Sequence, residues 1–274
     1  MKLQRASGTA RMRVVLSAGV TRLDVLYQEG AAKIRLPRDR RRAWAEAVLI
    51  NTAGGLTGGD IIGWQAEAAK GSALVVTTQA CEKVYRASSG TAEVTTGLTL
   101  GERAHLAWLP QETILFNESA LNRRIDVHMA PDATCLILEP IIFGRGAMGE
   151  TVRDVSLRDR WRIVCDGALV HAEDLRIEGD ASALMERGAT GGGATAMASL
   201  LYVGADAQDR LAAVRPLLAG MADARAAANA WRCGGTGKLL ARILAKDGFS
   251  LRRVVMPLAE MLNRQAGLPR IWTS

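Results

Sequence analysis

Apolar residues fall at every second position in one short segment after another, and this period of two restricts the chain to a mainly β fold. Met12, Val14 and Leu16 alternate with polar neighbours or charges, as do Leu23, Val25 and Tyr27. Val94, Thr96, Leu98 and Leu100 repeat the pattern, then Ile125, Val127 and Met129, then Trp161, Ile163 and Cys165. Such alternation sets one face of a strand on a core and the other towards solvent. Cys135-Leu136-Ile137-Leu138 is continuously apolar, which suits a strand covered on both faces. Asp166-Gly167 supplies a hairpin signal. Strands recurring every ~8–12 residues predict a sandwich, a barrel or a coiled β layer.

The period changes near the C-terminus. Leu211, Val214, Leu217, Leu218 and Met221 follow helical spacing, and the strong helix formers after them predict one helix over much of Ala207 to Trp231. Leu239 to Leu244 reads as a strand and Asp247-Gly248 as a turn. Val254, Leu258, Met261 and Leu262 predict a second helix ending near Gly267. The expectation is one domain over residues 1–274, β-rich to about residue 205, with about two C-terminal α-helices packed on it. Aromatic residues make up only 4%, so Ala, Val, Leu and Ile must build the core. Met1 to Gly8 reads as a loose leader. No apolar run precedes its charges, so no signal peptide is expected, and no stretch of ~18 apolar residues suits a membrane span.

Between the apolar run Ala47-Val48-Leu49-Ile50 and Ile61-Ile62 lies Asn51-Thr52-Ala53-Gly54-Gly55-Leu56-Thr57-Gly58-Gly59-Asp60. It reads as a strand, a tight glycine-built loop and a return strand, since glycine serves where φ is positive or another backbone comes close. It is not a phosphate loop. The Walker pattern needs Gly-Lys-Ser/Thr where Asp60 follows the last glycine, and no helical period follows for a dinucleotide fold. Gly234-Gly235-Thr236-Gly237-Lys238 fails as well, with Arg232 and Leu239 at required positions, and reads as a turn after the first helix.

A net charge of +7 admits an acidic protein partner, an anionic membrane or nucleic acid. The basic residues are not interleaved with aromatics as in an RNA-recognition motif. The densest run, Arg38 to Arg42, is broken by Asp39 and fits a solvated loop or a docking patch for an acidic partner. Cys81, Cys135, Cys165 and Cys233 form no Cys-x-x-Cys pair, so they are expected as reduced thiols in a cytoplasmic protein, with Cys81 and Cys165 in strands. No Gly-x-Ser-x-Gly elbow is present, and no residue is assigned a catalytic role. His105, His128 and His171 fall in separate strand-like segments and are expected as partly exposed structural residues.

The carboxylates carry more information. Asp60, Glu82, Glu112, Glu139, Glu150 and Glu173 sit within or beside apolar strands or glycine turns. A carboxylate in that setting must be paired, protonated or metal-bound. One reading is internal salt bridges to Lys83, Arg86, Arg145 or Arg160. The other is a water-lined path of weak oxygen ligands that passes a divalent ion along, unlike the closed Cys/His cage of a structural metal.

Several segments together resemble the urease accessory protein UreD (UreH) family. They are Asn51 to Asp60, Thr77-Thr78-Gln79-Ala80-Cys81-Glu82-Lys83-Val84-Tyr85-Arg86, Trp108-Leu109-Pro110-Gln111-Glu112-Thr113-Ile114-Leu115-Phe116, Phe143-Gly144-Arg145-Gly146-Ala147-Met148-Gly149-Glu150, Leu157-Arg158-Asp159-Arg160-Trp161 and Leu268-Pro269-Arg270-Ile271-Trp272. They occur in family order along nearly the whole chain. The resemblance implies a layered, helix-like β fold with a few helices. It implies a non-enzymatic scaffold that binds apo-urease with the helical partner UreF and the GTPase UreG, in a heterocomplex or a dimer of heterodimers. It further implies that no cofactor is tightly bound and that nickel is cargo in transit through an internal channel. Carried onto this chain, the resemblance puts Asp60, Gln79 and Glu82 near that channel. Glu139 and Glu173 join them on local pattern alone. The alternative is a β-rich hydrolase using buried carboxylates, which requires a deep pocket holding a carboxylate of raised pKa. Nucleic-acid binding, the weakest reading, requires a steep loss of affinity with salt.

Overall fold

The computed structural model describes residues 5–37, 42–221, 223–264 and 266–273. Its strands stack as a β-solenoid-like coil of two broad sheets and one narrow face. β1 (Ser7–Ser17) and β2 (Val20–Gly30) form a hairpin in the first sheet. β3 (Ala32–Arg35) and β4 (Ala45–Asn51) pair in the second. The chain then winds: β5 (Ile61–Ala68) enters the first sheet, β6 (Ala73–Thr78) the second, and β7 (Glu82–Val84) the narrow face. The next turn repeats this with β8 (Ala92–Leu100), β9 (His105–Trp108) and β10 (Thr113–Leu115). β11 (Ser119–Met129) and β12 (Thr134–Phe143) follow, with the end of β12 closing the narrow face against β10. β13 (Val155–Cys165) and β14 (Ala168–Glu178) end the first sheet as a hairpin.

Because each turn returns to the same sheet in the same direction, the central strands are parallel. Ile61 lies beside Glu93, and Leu121 beside both Ala92 and Leu157. After α1 (Ala181–Glu186), β15 (Ala196–Val203) pairs antiparallel with β12. α2 (Ala207–Ala219), β16 (Ala224–Cys233), β17 (Thr236–Ala245), α3 (Gly248–Leu262) and α4 (Arg270–Thr273) complete the described fold. One apolar core fills the space between the sheets. A second lies between the outer face of β12, β15 and β17 and the helices, where Val254, Leu258 and Leu262 of α3 are buried and Trp272 of α4 donates to Thr77 Oγ1 at 3.1 Å. Cys135 to Leu138 of β12 are all fully buried, as a strand between two cores must be.

Several expectations change. The helix expected over Ala207 to Trp231 stops at Ala219, and Ala224–Cys233 is a strand against β17. Ten residues of ladder pairing override the helical preference of an alanine-rich segment. Strands therefore continue well past residue 205, and the Gly234-Gly235 turn joins two of them rather than following a helix. Asp247 caps α3, its side chain accepting from Ser250 N at 2.6 Å. Ser7 and Gly8 belong to β1, beside Ile61 and Ile62, while residues 1–4 lie outside the described residues. So does most of the basic run, residues 38–41. Cys81 sits in a loop, not a strand; all four cysteines are free thiols.

The glycine stretch is not a hairpin. β4 belongs to the second sheet and β5 to the first, so Asn51 to Asp60 carries the chain from one sheet to the other. On the way Leu56 bridges Val84, which heads an inward stack with Leu115 and Phe143 on the narrow face. The glycines permit this close passage. A Cβ on Gly58 would lie 2.4 Å from the carbonyl oxygens of Ser89 and Gly90, and one on Gly55, at φ +152°, would meet the Tyr85 ring at 2.3 Å. Gly58→Ala is expected to destabilise the fold by about 1–3 kcal/mol, since backbone must shift to admit the methyl group. Urea midpoints of variant and parent check this; equal midpoints would show that the loop has room to spare.

Candidate functional site

The inward positions of five strands carry a polar cluster through this apolar interior. Inward side chains alternate along β11 as Leu121, Arg123, Ile125 and Val127, and along β13 as Leu157, Asp159, Trp161 and Ile163. Period two therefore sends Arg123 and Asp159 into the core. Arg123 Nη2 meets Asp159 Oδ2 at 2.6 Å and its Nη1 meets Glu139 Oε2, from β12, at 2.5 Å. Arg123 Nη1 also donates to Thr113 Oγ1 of β10 at 3.1 Å. Trp108 Nε1 donates to Glu139 at 2.8 Å and Trp161 Nε1 to Asp159 at 3.1 Å. Arg123, Glu139 and Asp159 are each under 7% exposed, so one guanidinium faces two carboxylates without solvent. Burial, aided by the Asp159 charge, drives the Glu139 pKa up against the pull of Arg123.

From this cluster the polar line extends both ways. Thr113 pairs with Glu82 across β10 and β7. The Glu82 carboxylate accepts from Asn51 Nδ2 at 3.2 and 3.3 Å, and that amide also bonds Gly55 O, so the glycine loop and Glu82 are tied together. Glu82 is pushed up to about 7 by burial, with the Asn51 hydrogen bond opposing and the Asp60 charge adding to the rise. In the other direction Glu139 pairs with Ser199 of β15, whose Oγ accepts from Arg242 Nη1 of β17 at 2.9 Å. Arg242 also bonds Glu173 of β14. His171, two residues before, is buried with its Nε2 3.9 Å from Glu173. Burial and the charges of Lys238, Arg242 and Arg162 lower its pKa to about 4.

Three of the five residues singled out from sequence, Glu82, Glu139 and Glu173, thus lie along one interior polar row. Asp60 stands beside its Glu82 end, 4% exposed, and both its oxygens accept backbone amides, from Ala6 and Thr57, at 2.8 Å each. Gln79 lies off the row, exposed on the outer side of the narrow face. There it lines a 560 Å³ depression with Cys81, Gln111, Glu112 and Arg252. Arg252 binds Glu112 at 3.1 and 3.0 Å, and Cys81 Sγ donates to Glu112 at 3.2 Å. Burial, then the Glu112 charge, pushes the Cys81 thiol up to about 11, so it stays protonated near neutrality.

The carboxylates are indeed ion-paired or hydrogen-bonded. Of the cations named from sequence, Arg145 and Arg86 have carboxylate partners: Arg145 binds Glu150 and Arg86 binds Glu118. Arg123, Arg242 and Arg252 pair with Glu139, Glu173 and Glu112, while Asp60 accepts from backbone amides and Glu82 from Asn51. Sequence reasoning missed Thr113, Arg123, Asp159, Ser199 and Arg242, although the alternation of β11 and β13 signals Arg123 and Asp159. His105 and His171 are buried rather than partly exposed: His105 bonds Thr134 and Asn263 at 2.8 and 2.5 Å. His128 is exposed on β11. The depression beside Gln79 is lined by Glu112, not by Glu82 or Glu139, whose pKa values are raised.

Comparison with known proteins bears on this arrangement. The family model described as UreD urease accessory protein matches residues 6–273. A urease accessory protein UreD of Rhizobium leguminosarum bv. viciae is 50% identical over 269 residues, covering 98% of this chain and 96% of its own. One from Sinorhizobium medicae is 49% identical over 270 residues, covering 98% and 96%. One from Agrobacterium fabrum is 47% identical over 272, covering 99% and 93%.

Two outcomes follow from the geometry. Arg123→Met is expected to cost about 3–5 kcal/mol, because two buried carboxylates lose their counter-charge. Adding Glu139→Gln and Asp159→Asn to it should recover much of that loss in urea titrations; no recovery would mean that packing, not charge, holds the cluster. For Glu82, the folded carboxyl keeps its proton from the ordinary 4.5 up to about 7. Its contribution is therefore full at acid pH and is lost as pH rises through 7. Glu82→Gln removes this slope, so the stability of the variant relative to the parent should rise by up to about 3 kcal/mol between pH 5 and 8. A difference independent of pH would contradict the raised pKa.

Proposed function

The chain belongs to the UreD urease accessory protein family, and from that premise we propose that it serves urease maturation as a non-enzymatic scaffold and nickel carrier in the cytoplasm. In this reading it binds apo-urease and works with UreF and the GTPase UreG in one heterocomplex. Nucleotide hydrolysis falls to UreG, in keeping with the failed phosphate-loop patterns of this chain. The observation that carries the proposal is the polar row from Glu82 through Thr113, Arg123, Glu139 and Ser199, which crosses an otherwise apolar interior and reaches the surface at Arg242, paired with Glu173.

Nickel is the cargo. A divalent ion on this row meets one or two carboxylate oxygens at a time, ligands from which it exchanges readily. Arg123 holds the place of a cation between Glu139 and Asp159 while the row is empty. An arriving ion would compete with the guanidinium for those oxygens, while Arg123 keeps its bond to Thr113 Oγ1. Asp60 keeps the loop and the Glu82 end in register, and its own oxygens are engaged by backbone. Glu173, paired with Arg242, forms the opposite end. Gln79 stands at the outer rim, where partner contact is possible without entry to the row.

The test is co-purification of this chain with UreF and UreG, followed by activation of apo-urease with nickel and GTP. Activation that disappears when the chain is omitted supports the scaffold. Glu82→Gln should leave the complex intact and lower activation by roughly tenfold or more, as loss of one charged oxygen ligand implies. Turnover of an ester, amide or glycoside by the chain alone would instead favour the hydrolase reading.

A further inference from the structure

The coil ends at β2, which no further strand covers among the described residues. A shift in the β1–β2 register opposite Arg13 and Val14 puts both Leu23 and Leu26 on the inward face, beside Val14 and Met12. Yet Leu23 is 41% and Leu26 39% exposed, whereas Val14 and Met12 are buried. Between these leucines, Ile34 of β3 and Trp44 just before β4 opens a cavity of about 870 Å³, with Arg22 and Arg35 on its rim. β2 pairs with β1 along one edge only. The neighbouring edge at β3 is blunted, because Ile34 N already donates to Gln28 Oε1 at 2.5 Å. Thr21 N, at the start of β2, donates to Ala43 O at 2.7 Å; beyond it the outer edge of β2 pairs with no strand among the described residues and sits beside an unfilled apolar slot, the condition under which an extra strand adds to a sheet.

Charge narrows the occupant. Arg22 and Arg35 are exposed and form no ion pair among the described residues. Arg42, also on the rim, stacks on Trp44 at 4.4 Å and binds Glu46. Two free guanidinium groups flanking an apolar slot match carboxylates flanking apolar side chains. We propose that β2 receives an added β-strand from a protein partner: an extended acidic segment whose alternate apolar residues enter the slot beside Leu23, Leu26, Ile34 and Trp44. This goes beyond the proposed role in nickel delivery and stands whether or not that role holds.

A fluorescein-labelled ten-residue peptide of alternating glutamate and valine, titrated with the full chain and followed by anisotropy, tests the inference without nickel or other partners. Binding is expected to exceed that of the lysine–valine counterpart by roughly tenfold or more, and to fall with salt. The double variant Arg22→Glu/Arg35→Glu, altered only at exposed positions, should lose roughly tenfold, as should Leu26→Asp. N-methylation of alternate peptide residues removes the backbone donors and should abolish binding. No binding of the parent peptide, or equal binding by the N-methylated peptide or the charge-reversed variant, overturns the proposal. A concentration-dependent dimer in light scattering, abolished by Leu26→Asp but insensitive to Arg22→Glu/Arg35→Glu, would also overturn it by assigning this edge to a second copy of the chain.

Discussion

One guanidinium shared by two buried carboxylates is the interaction on which the rest of this interior depends. An isolated charge in such a core is far too costly to persist. Arg123, Glu139 and Asp159 are tolerated together because their hydrogen bonds also engage Trp108, Trp161 and Thr113. Those contacts come from β9 to β13, so the cluster fixes both sheets and the narrow face relative to one another. An apolar core would accept small slips between successive turns. A network of directional bonds does not, which gives the stack a defined register.

The same cluster sets the electrostatics of the interior. Two acids share one base there, and burial, with the Asp159 charge adding to it, raises the Glu139 pKa against the pull of Arg123. At the Glu173 end the balance reverses, with Arg162, Lys238 and Arg242 around one carboxylate and a neutral His171. Arg162 and Lys238 are held there by main-chain carbonyl oxygens rather than acids. The row is thus graded, acidic towards Asp60 and Glu82 and basic towards β17.

Much of this was legible from period alone. The alternation in β11 and β13 fixes which side chains point inward, and the unbroken run at Cys135 identifies a strand between two cores. Pairing was not legible. Glu139 meets Arg123 because the coil places β12 against β10 and across from β11, and nothing local to Glu139 names that partner. The glycine stretch was read as a return between neighbours because local sequence gives a turn but not the sheet it leads to. Ala224 to Trp231 has the composition of a helix. It became a strand because β17 offered ten residues of pairing, a contribution invisible to a window on one segment. Histidine burial was missed for a similar reason: His105 is enclosed by Asn263, more than 150 residues away.

The winding itself bears on how this molecule yields under stress. In a stacked coil each turn touches little beyond its neighbours, so cohesion is passed from one turn to the next. The turns bearing Arg123, Glu139 and Asp159 are joined by charge and hydrogen bonding as well as apolar contact. The first turn, with β2 at its rim, has a neighbour on one side only. Opening should begin there and travel inward, leaving the charged centre as the last part to exchange its amide protons with water. A partner that covers the β2 rim would then tighten the whole stack from its weakest edge.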